Sequence, residues 1–222
     1  SFPANTANSI QTISNIKYFV KNNLNVTLIF PLREPGSTDD LSLIQNKYSI
    51  NENFQVVGTD HNLPFGKFNF FNKLFFLISH YLWSKRTVNN LLKNNKDPDF
   101  FITRSDWIFY FLSKNKKNVV FECHQYSKLR KRLLAKSLKE EGSKIIFLND
   151  NLKSDYKNQE IIKNKSIVLH NGVDFDLFSK KLKKNKNEIV FIGQLTRFNE
   201  SRNIDFIIES IIKYSSNFKF KI

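Results

Sequence analysis

Polar residues that can do chemistry stand at the ends of short apolar runs in this chain. Glu122 and His124 close one such run, and Arg104 directly follows another. Side chains alternate along a strand, so we expect Glu122 and His124 to share a face and Cys123 to point into the core. An imidazole at that place can hydrogen-bond a hydroxyl or a carbonyl of a ligand, or a neighbouring backbone group. Arg104 can orient a ligand or form a structural salt bridge.

A second set of residues, later in the chain, has the chemistry of an anion site. Arg202 opens a predicted helix, and a helix N-terminus with a guanidinium can hold a nucleotide diphosphate. Gly193 follows a strand-like run, where glycine permits either close approach to a ligand or a tight turn. Asn171 and Gly172 form a turn signal. The alternative for Arg202 is an exposed, solvated side chain.

The elements that position these residues follow from the hydrophobic pattern. Predicted strands occupy residues 25–30, 99–103, 118–122, 144–148, 166–169 and 188–192, and predicted helices occupy 9–22, 68–94, 105–113, 127–140 and 204–214. Each strand-like run is apolar on consecutive residues, which is typical of strands covered on both faces. The alternation predicts an α/β fold with a parallel, doubly wound sheet, whose ligands bind at the carboxyl ends of the strands.

The composition excludes several classes of protein and several kinds of metal or disulfide site. The 222 residues are 41% hydrophobic, which excludes a disordered or collagen-like chain. Cys123 is the only cysteine, so an intrachain disulfide or a multi-cysteine zinc site is excluded, and the four histidines lack the spacing of a helical metal pair. Lys and Arg outnumber Asp and Glu by 35 to 20, a net charge of +15 that favours anionic partners.

The chain shows a domain boundary and the features of a fragment. It lacks methionine, its first helix is not preceded by a strand, and residues 217–222 begin a strand that stops. A lysine-rich stretch at 179–187 is typical of a solvated linker. We therefore expect an N-terminal domain at 1–171, a linker at 172–187 and the start of a second domain at 188–222.

Three motifs occur in order in the later part of the chain: Asn-Gly-Val-Asp at residues 171–174, a strand ending in Gly-Gln-Leu at 193–195, and a helix opened by Arg202. This succession resembles retaining nucleotide-sugar glycosyltransferases of the GT-B fold, specifically glycosyltransferase family 4 (group 1). The earlier strands resemble the same family. One ends in an Arg at Arg104, one ends in Glu-x-His at His124, and a loop carries Asn149 where the family usually has Ser.

The resemblance implies roles for individual residues. It implies that His124, with Glu122 beside it, contacts the donor sugar in the catalytic cleft. Gly193, Arg202 and Asn171 then belong to the donor side.

The donor side departs from the family at one position. The family has an Arg directly after the glycine, where this chain has Gln194, and Arg197 is the candidate to replace its charge. On the acceptor side the resemblance points to the loop and helix start that carry Asn5 and Asn8, together with Arg104.

The resemblance implies transfer of a sugar from a nucleotide-sugar donor to a glycan or lipid-linked acceptor, in surface polysaccharide or glycolipid synthesis, with retention and without a metal or other cofactor. It also implies that the family's downstream glutamate pair should fall beyond Ile222, so we expect the fragment alone to be inactive. Two alternatives stay open. A basic module that binds nucleic acid would fit the charge, and an epimerase of the same GT-B fold would be separated by product analysis.

The basic helix predicted from Ser127 to Lys139 indicates a possible membrane partner and a cellular location for the protein. Leucines recur along it at helical spacing and Lys or Arg occupy most other positions, a pattern typical of helices that bind anionic membrane surfaces. The alternative is a helix that covers the sheet and leaves its charges in water. No apolar run reaches the roughly 18 residues that a spanning helix needs. We expect a cytoplasmic protein, peripheral at the inner face of the membrane.

Overall fold

The computed structural model describes residues 1–61, 72–93, 98–156, 160–172, 188–190, 196–197, 200–201, 204–214 and 219–221. The chain forms two compact units, Ser1–Val173 and Asp174–Ile222. The division expected from the sequence, at residues 171 and 187, stays a prediction, and residues 173–187 lie outside the described residues.

The first unit begins with a helix and a two-stranded parallel sheet. Helix α1 spans Ala7–Lys21, strand β1 Thr27–Leu32, helix α2 Leu41–Tyr48 and strand β2 Gln55–Asp60. Both strands run parallel, from Thr27 opposite Gln55 to Leu32 opposite Asp60. They share a core with the helices made of Phe2, Ile13, Ile16, Leu28, Phe30, Ile44, Ile50 and Phe54. The predicted α1 and β1 are confirmed, whereas α2 and β2 were not predicted.

A four-stranded parallel sheet forms the rest of the first unit. After helix α3 (Asn72–Lys93) come β3 (Phe101–Thr103), α4 (Asp106–Lys114), β4 (Val119–Cys123), α5 (Lys128–Ser137), β5 (Ser143–Phe147), α6 (Asp150–Ser154), α7 (Glu160–Asn164) and β6 (Ser166–Val168). The strands lie side by side in chain order. β4 and β5 are central, and Phe121 and Phe147 are fully buried on them. All four strands were predicted from their apolar runs.

The second unit contains one parallel strand pair joined through a helix. β7 (Glu188–Val190) pairs with β10 (Lys219–Lys221), and helix α8 (Ile204–Tyr214) lies between them in the chain. A short antiparallel pair, β8 (Thr196–Arg197) and β9 (Glu200–Ser201), precedes the helix. The predicted strand at 188 and the helix at 204–214 are confirmed.

The chain is therefore an α/β protein with parallel sheets, an arrangement compatible with a Rossmann-like fold. In one respect the structure differs from the expectation of a single doubly wound sheet. The strands of the first unit form two separate sheets, the β1–β2 pair and the β3–β6 sheet. No described residue of β1 or β2 pairs with β3.

Candidate functional site

Six polar residues converge where the strands of the large sheet end. We call this group the Glu122 cluster; its members are Asn8, Gln11, Arg104, Glu122, His124 and Asn171. Arg104 follows β3, Glu122 and His124 lie at the end of β4, and Asn171 follows β6. Parallel strands present their carboxyl ends at one edge, which is where open α/β sheets bind ligands.

Local structure fixes the side chains from β3 and β4. Arg104 alone separates the end of β3 from Ser105, whose Oγ accepts the Ile108 N–H as the N-cap of α4. Ser127 caps α5 in the same way, three residues after His124. An N-cap side chain satisfies one of the free N–H groups of a helix's first turn. The short connections thus hold Arg104 and His124 at the edge of the sheet.

Glu122 and Arg104 form a two-point ion pair. Nε of Arg104 donates to Oε2 of Glu122 over 3.1 Å, and Nη2 donates to Oε1 over 2.8 Å. The side chains are only 10% and 19% exposed, respectively. Because the guanidinium matches both carboxylate oxygens, this is the strong, directional form of the ion pair.

His124 is the second side chain that bonds directly to the carboxylate of Glu122. Its Nε2 lies 2.8 Å from Oε1 of Glu122, and 29% of its side chain is exposed. An ionised carboxylate only accepts hydrogen bonds, so Nε2 of His124 carries a proton and donates it to the hydrogen bond with Glu122. Burial of Glu122 works to raise its pKa, but the hydrogen bonds and charges of His124 and Arg104 outweigh burial and hold the pKa of Glu122 below its ordinary value.

The first turns of α1 close the cluster from another side. Nη1 of Arg104 donates to the backbone oxygen of Asn8 over 3.1 Å and also to its Oδ1. Nε2 of Gln11 donates to Oδ1 of Asn171 and lies 3.5 Å from Oε1 of Glu122. One buried carboxylate therefore connects the start of α1 with residues that follow three strands.

The loop before α1 is held by the β1–β2 part of the unit. The hydroxyl of Tyr48 donates to the backbone oxygen of Ala4 over 2.7 Å and accepts its N–H over 2.8 Å. Thr6 then caps α1 by accepting the N–H of Ser9. Asn5, predicted on the acceptor side, is exposed in this loop and makes no hydrogen bond to the other described residues.

The predicted site residues fall into two groups. His124, Glu122, Arg104, Asn8 and Asn171 come together in the cluster, and sequence reasoning missed Gln11. The predicted donor residues Gly193 and Arg202 lie outside the described residues, and of Arg197 only the backbone, in β8, is described.

Cys123 lies on the opposite side of β4 from the cluster, as predicted. It is fully buried, and its Sγ lies 3.7 Å from the hydroxyl of Tyr156. Burial raises the pKa of the Cys123 thiol, which keeps it protonated and unreactive.

The basic helix predicted at 127–140 is α5, and it covers the sheet. Leu133, Leu134 and Leu138 are buried, whereas Leu129 is exposed. Arg130 does not point into solvent: its Nε bonds Oδ1 of Asp106 over 2.6 Å. Most of the apolar stripe of α5 is therefore used by the core, although several of its lysines stay exposed.

A second polar group, around Trp83, joins β2, α3 and the start of α4. Its three side-chain bonds are Trp83 Nε1 to Thr59 Oγ1 at 2.9 Å, His80 Nε2 to Ser105 Oγ at 3.0 Å and His61 Nε2 to Ser79 Oγ at 3.0 Å. These bonds hold β2, α3 and the start of α4 together.

Family models, curated proteins and solved structures yield no match to the chain. The Glu122 cluster and the motifs of the sequence are therefore the features that bear on function. Within the described residues, no group of three or more His, Cys, Asp and Glu side chains is placed to hold a metal ion. None of the described helices is long and apolar enough to cross a membrane.

Proposed function

We propose that the chain is part of a retaining glycosyltransferase of the GT-B fold, acting on a nucleotide-sugar donor and a glycan or lipid-linked acceptor. The observation that carries the proposal is the Glu122 cluster: a partly exposed imidazole held by a buried carboxylate at the carboxyl edge of a parallel sheet. The reaction class comes from the resemblance of the motifs at 120–124 and 171–195 to glycosyltransferase family 4.

In the proposed reaction His124 contacts the donor sugar. Glu122 accepts a hydrogen bond from Nε2, so Nδ1 is the ring nitrogen left to contact a sugar hydroxyl. Arg104 balances the charge of Glu122 and ties the acceptor-side residue Asn8 to the same carboxylate. The cluster thereby sets the distance between the start of α1 and the imidazole, and positioning of this kind is a large part of enzymatic rate enhancement.

The resemblance to glycosyltransferase family 4 also points to residues that would bind the donor phosphates. We propose that Arg202 and the backbone at Gly193 hold the diphosphate, with Arg197 replacing the charge absent at Gln194. Stabilising the leaving diphosphate then drives departure of the sugar. The nucleotide-sugar is the substrate, and the proposal requires no metal. We propose that the protein acts on the cytoplasmic side of the membrane. There it would reach a lipid-linked acceptor from the membrane surface.

Sugar binding tests the proposal. Saturation-transfer NMR is recorded with the purified chain and a panel of uridine- and guanosine-diphosphate sugars and methyl glycosides. We expect saturation of the sugar protons of at least one compound, and about tenfold weaker binding to His124→Ala because one hydrogen bond to the sugar is lost.

Lys136→Ala is the matched control, because Lys136 is an exposed residue of α5 and lies outside the cluster. It should bind like the wild type. Equal binding by His124→Ala and the wild type, or saturation confined to the nucleotide base with no sugar signal, would count against His124 as a sugar-contacting residue.

A further inference from the structure

Helix α3 leaves large apolar side chains exposed on its outward side. Its inward side buries Val88 together with the small polar residues Ser79, Ser84 and Thr87. Its outward side carries Phe75, Ile78 and Leu82, which are 47%, 45% and 49% exposed. Surface helices normally bury their large apolar residues and expose polar ones. With side chains that are nearly half exposed, the outward side of α3 offers an apolar surface for contact.

Aromatic side chains of α4 extend this apolar surface. Tyr81 of α3 packs against Trp107 with ring centroids 4.9 Å apart, and Trp107 packs against Tyr110 at 6.2 Å. The three rings are all partly exposed. We call the combined surface the α3–α4 face; it consists of Phe75, Ile78, Tyr81, Leu82, Trp107 and Tyr110. Trp and Tyr are the side chains enriched where a membrane meets water, since each has an apolar ring and a polar group.

The charges beside the α3–α4 face have one sign. Lys85 and Arg86 follow Leu82 on α3, and Lys114 ends α4; all three are exposed. Helix α3 contains no Asp or Glu, and the one acid of α4, Asp106, is paired with Arg130. Long basic side chains next to an apolar surface can reach lipid phosphates while their stems remain in the apolar layer.

From these observations we infer that the α3–α4 face docks on an anionic lipid bilayer. Phe75, Ile78 and Leu82 enter the acyl boundary, Tyr81 and Trp107 lie at the level of the headgroups, and Lys85 and Arg86 contact phosphates. The helix lies in the plane of the surface, as amphipathic membrane-binding helices do. A second copy of the chain is disfavoured as the occupant, because a symmetric contact would bring the same unopposed cations together.

The α3–α4 face, and not α5 as the sequence predicts, is the membrane-binding surface that we infer. The leucines of α5 are largely buried in the core, so that helix has little apolar surface to insert. Leu129 of α5 is 47% exposed, close to the 49% of Leu82. These two leucines are therefore a matched pair, because the same substitution at each distinguishes the two surfaces.

Co-sedimentation with vesicles tests the inference without any sugar, so its failure is separate from failure of the proposed function. Vesicles of phosphatidylglycerol mixed equally with phosphatidylcholine should bind the chain, and pure phosphatidylcholine should bind it far less. We expect Leu82→Glu to lower the partition coefficient at least about tenfold and Leu129→Glu to change it less than about twofold. Circular dichroism checks that each variant is folded, and Leu82→Ser, expected to lower binding in the same direction, replaces Leu82→Glu if the latter is not.

Two further measurements report on the face directly. Brominated acyl chains should quench the fluorescence of Trp107, measured in a Trp83→Phe background because the chain has only two tryptophans. Lys85→Gln with Arg86→Gln should weaken binding and reduce its dependence on salt.

Two results would overturn the inference: an absence of binding to anionic vesicles, and loss of binding with Leu129→Glu but not with Leu82→Glu. If vesicle binding is absent, a dimer in solution that Leu82→Glu dissociates would identify a second copy of the chain as the occupant.

Discussion

Arg104 and Glu122 lie side by side because the pairing of β3 with β4 continues by one residue past the end of β3. Thr103 pairs with Phe121, so the next residues along the two parallel strands are Arg104 and Glu122. Their two hydrogen bonds, 3.1 Å and 2.8 Å, use both oxygens of the carboxylate. The pairing of two strands, rather than any contact close in the sequence, therefore creates the charge pair at the centre of the cluster.

The two-point geometry predicts that Arg104→Lys is not a conservative change. An ammonium cannot donate in parallel to both oxygens of Glu122 and also reach Asn8, so at least one hydrogen bond is lost. We expect the free energy of unfolding, from urea denaturation at neutral pH, to fall by about 1–2 kcal/mol. Arg132→Lys, on the exposed side of α5, is the control and should have no measurable effect. Equal stability of the two variants would mean that the second hydrogen bond contributes nothing.

Glu122→Gln should make stability less dependent on pH in the acidic range. The pKa of Glu122 lies below its ordinary value of 4.5, so the folded chain prefers the ionised form. Its contribution is fully present above that ordinary value and is lost as the pH falls through the lowered pKa. The variant should be less stable than the wild type by about 1–3 kcal/mol at neutral pH. The difference should shrink in acid, and urea unfolding over a pH series measures it; a difference that does not vary with pH would contradict the assignment.

The apolar runs predicted all four strands of the large sheet, but only the central strand β4 is covered on both faces, and Ile102 of β3 and Ile167 of β6 are exposed. β4 has Val119, Phe121 and Cys123 buried, and such a run has few interpretations other than a central strand. β2 was missed for the opposite reason: most of its side chains are partly or fully exposed, so its residues resemble a loop. Helix α2 was missed because only Ile44 is buried on it, which leaves too weak a periodic pattern.

The site was only partly visible in the sequence. His124, Glu122 and Arg104 were found because each stands at the end of an apolar run. Gln11 was missed because its partners, Glu122 and Asn171, are 111 and 160 residues away, and nothing in its local sequence marks the contact. Its position three residues after Asn8 on the same helix, which places both side chains on one face, is the signal that would have indicated it.

Gly142 precedes β5 at a point where the backbones approach closely. A Cβ added there would lie 2.5 Å from Oδ1 of Asn118 and 3.2 Å from the oxygen of Lys117. Moving the Asn118 side chain away would break the hydrogen bond from its Nδ2 to the backbone oxygen of Asp99, and the Cα of Asn118, also 3.2 Å from the added Cβ, is a backbone atom. We expect Gly142→Ala to lower the free energy of unfolding by about 1–3 kcal/mol, measured by urea denaturation.

Two comparisons make the Gly142 prediction specific. Gly172→Ala is the matched control, because a Cβ there meets no atom within 4 Å, and it should leave stability unchanged. Adding Asn118→Ala to Gly142→Ala should recover part of the loss, because it removes the nearest clashing atom. A double variant whose two effects simply add would show that the clash with Asn118 is not the cause.

His80 should make the fold sensitive to mild acid. Burial lowers the pKa of His80, and the charges of Arg33 and His61 act in the same direction, against the opposing effect of Asp106. The unfolded chain therefore takes up the proton first, and stability should fall as the pH decreases below the ordinary value of 6.5. His80→Gln has no titrating ring, so its loss of stability between about pH 7.5 and pH 5.5 should be smaller than that of the wild type. Urea unfolding at the two pH values checks this, and parallel pH profiles would remove His80 as the source of the sensitivity.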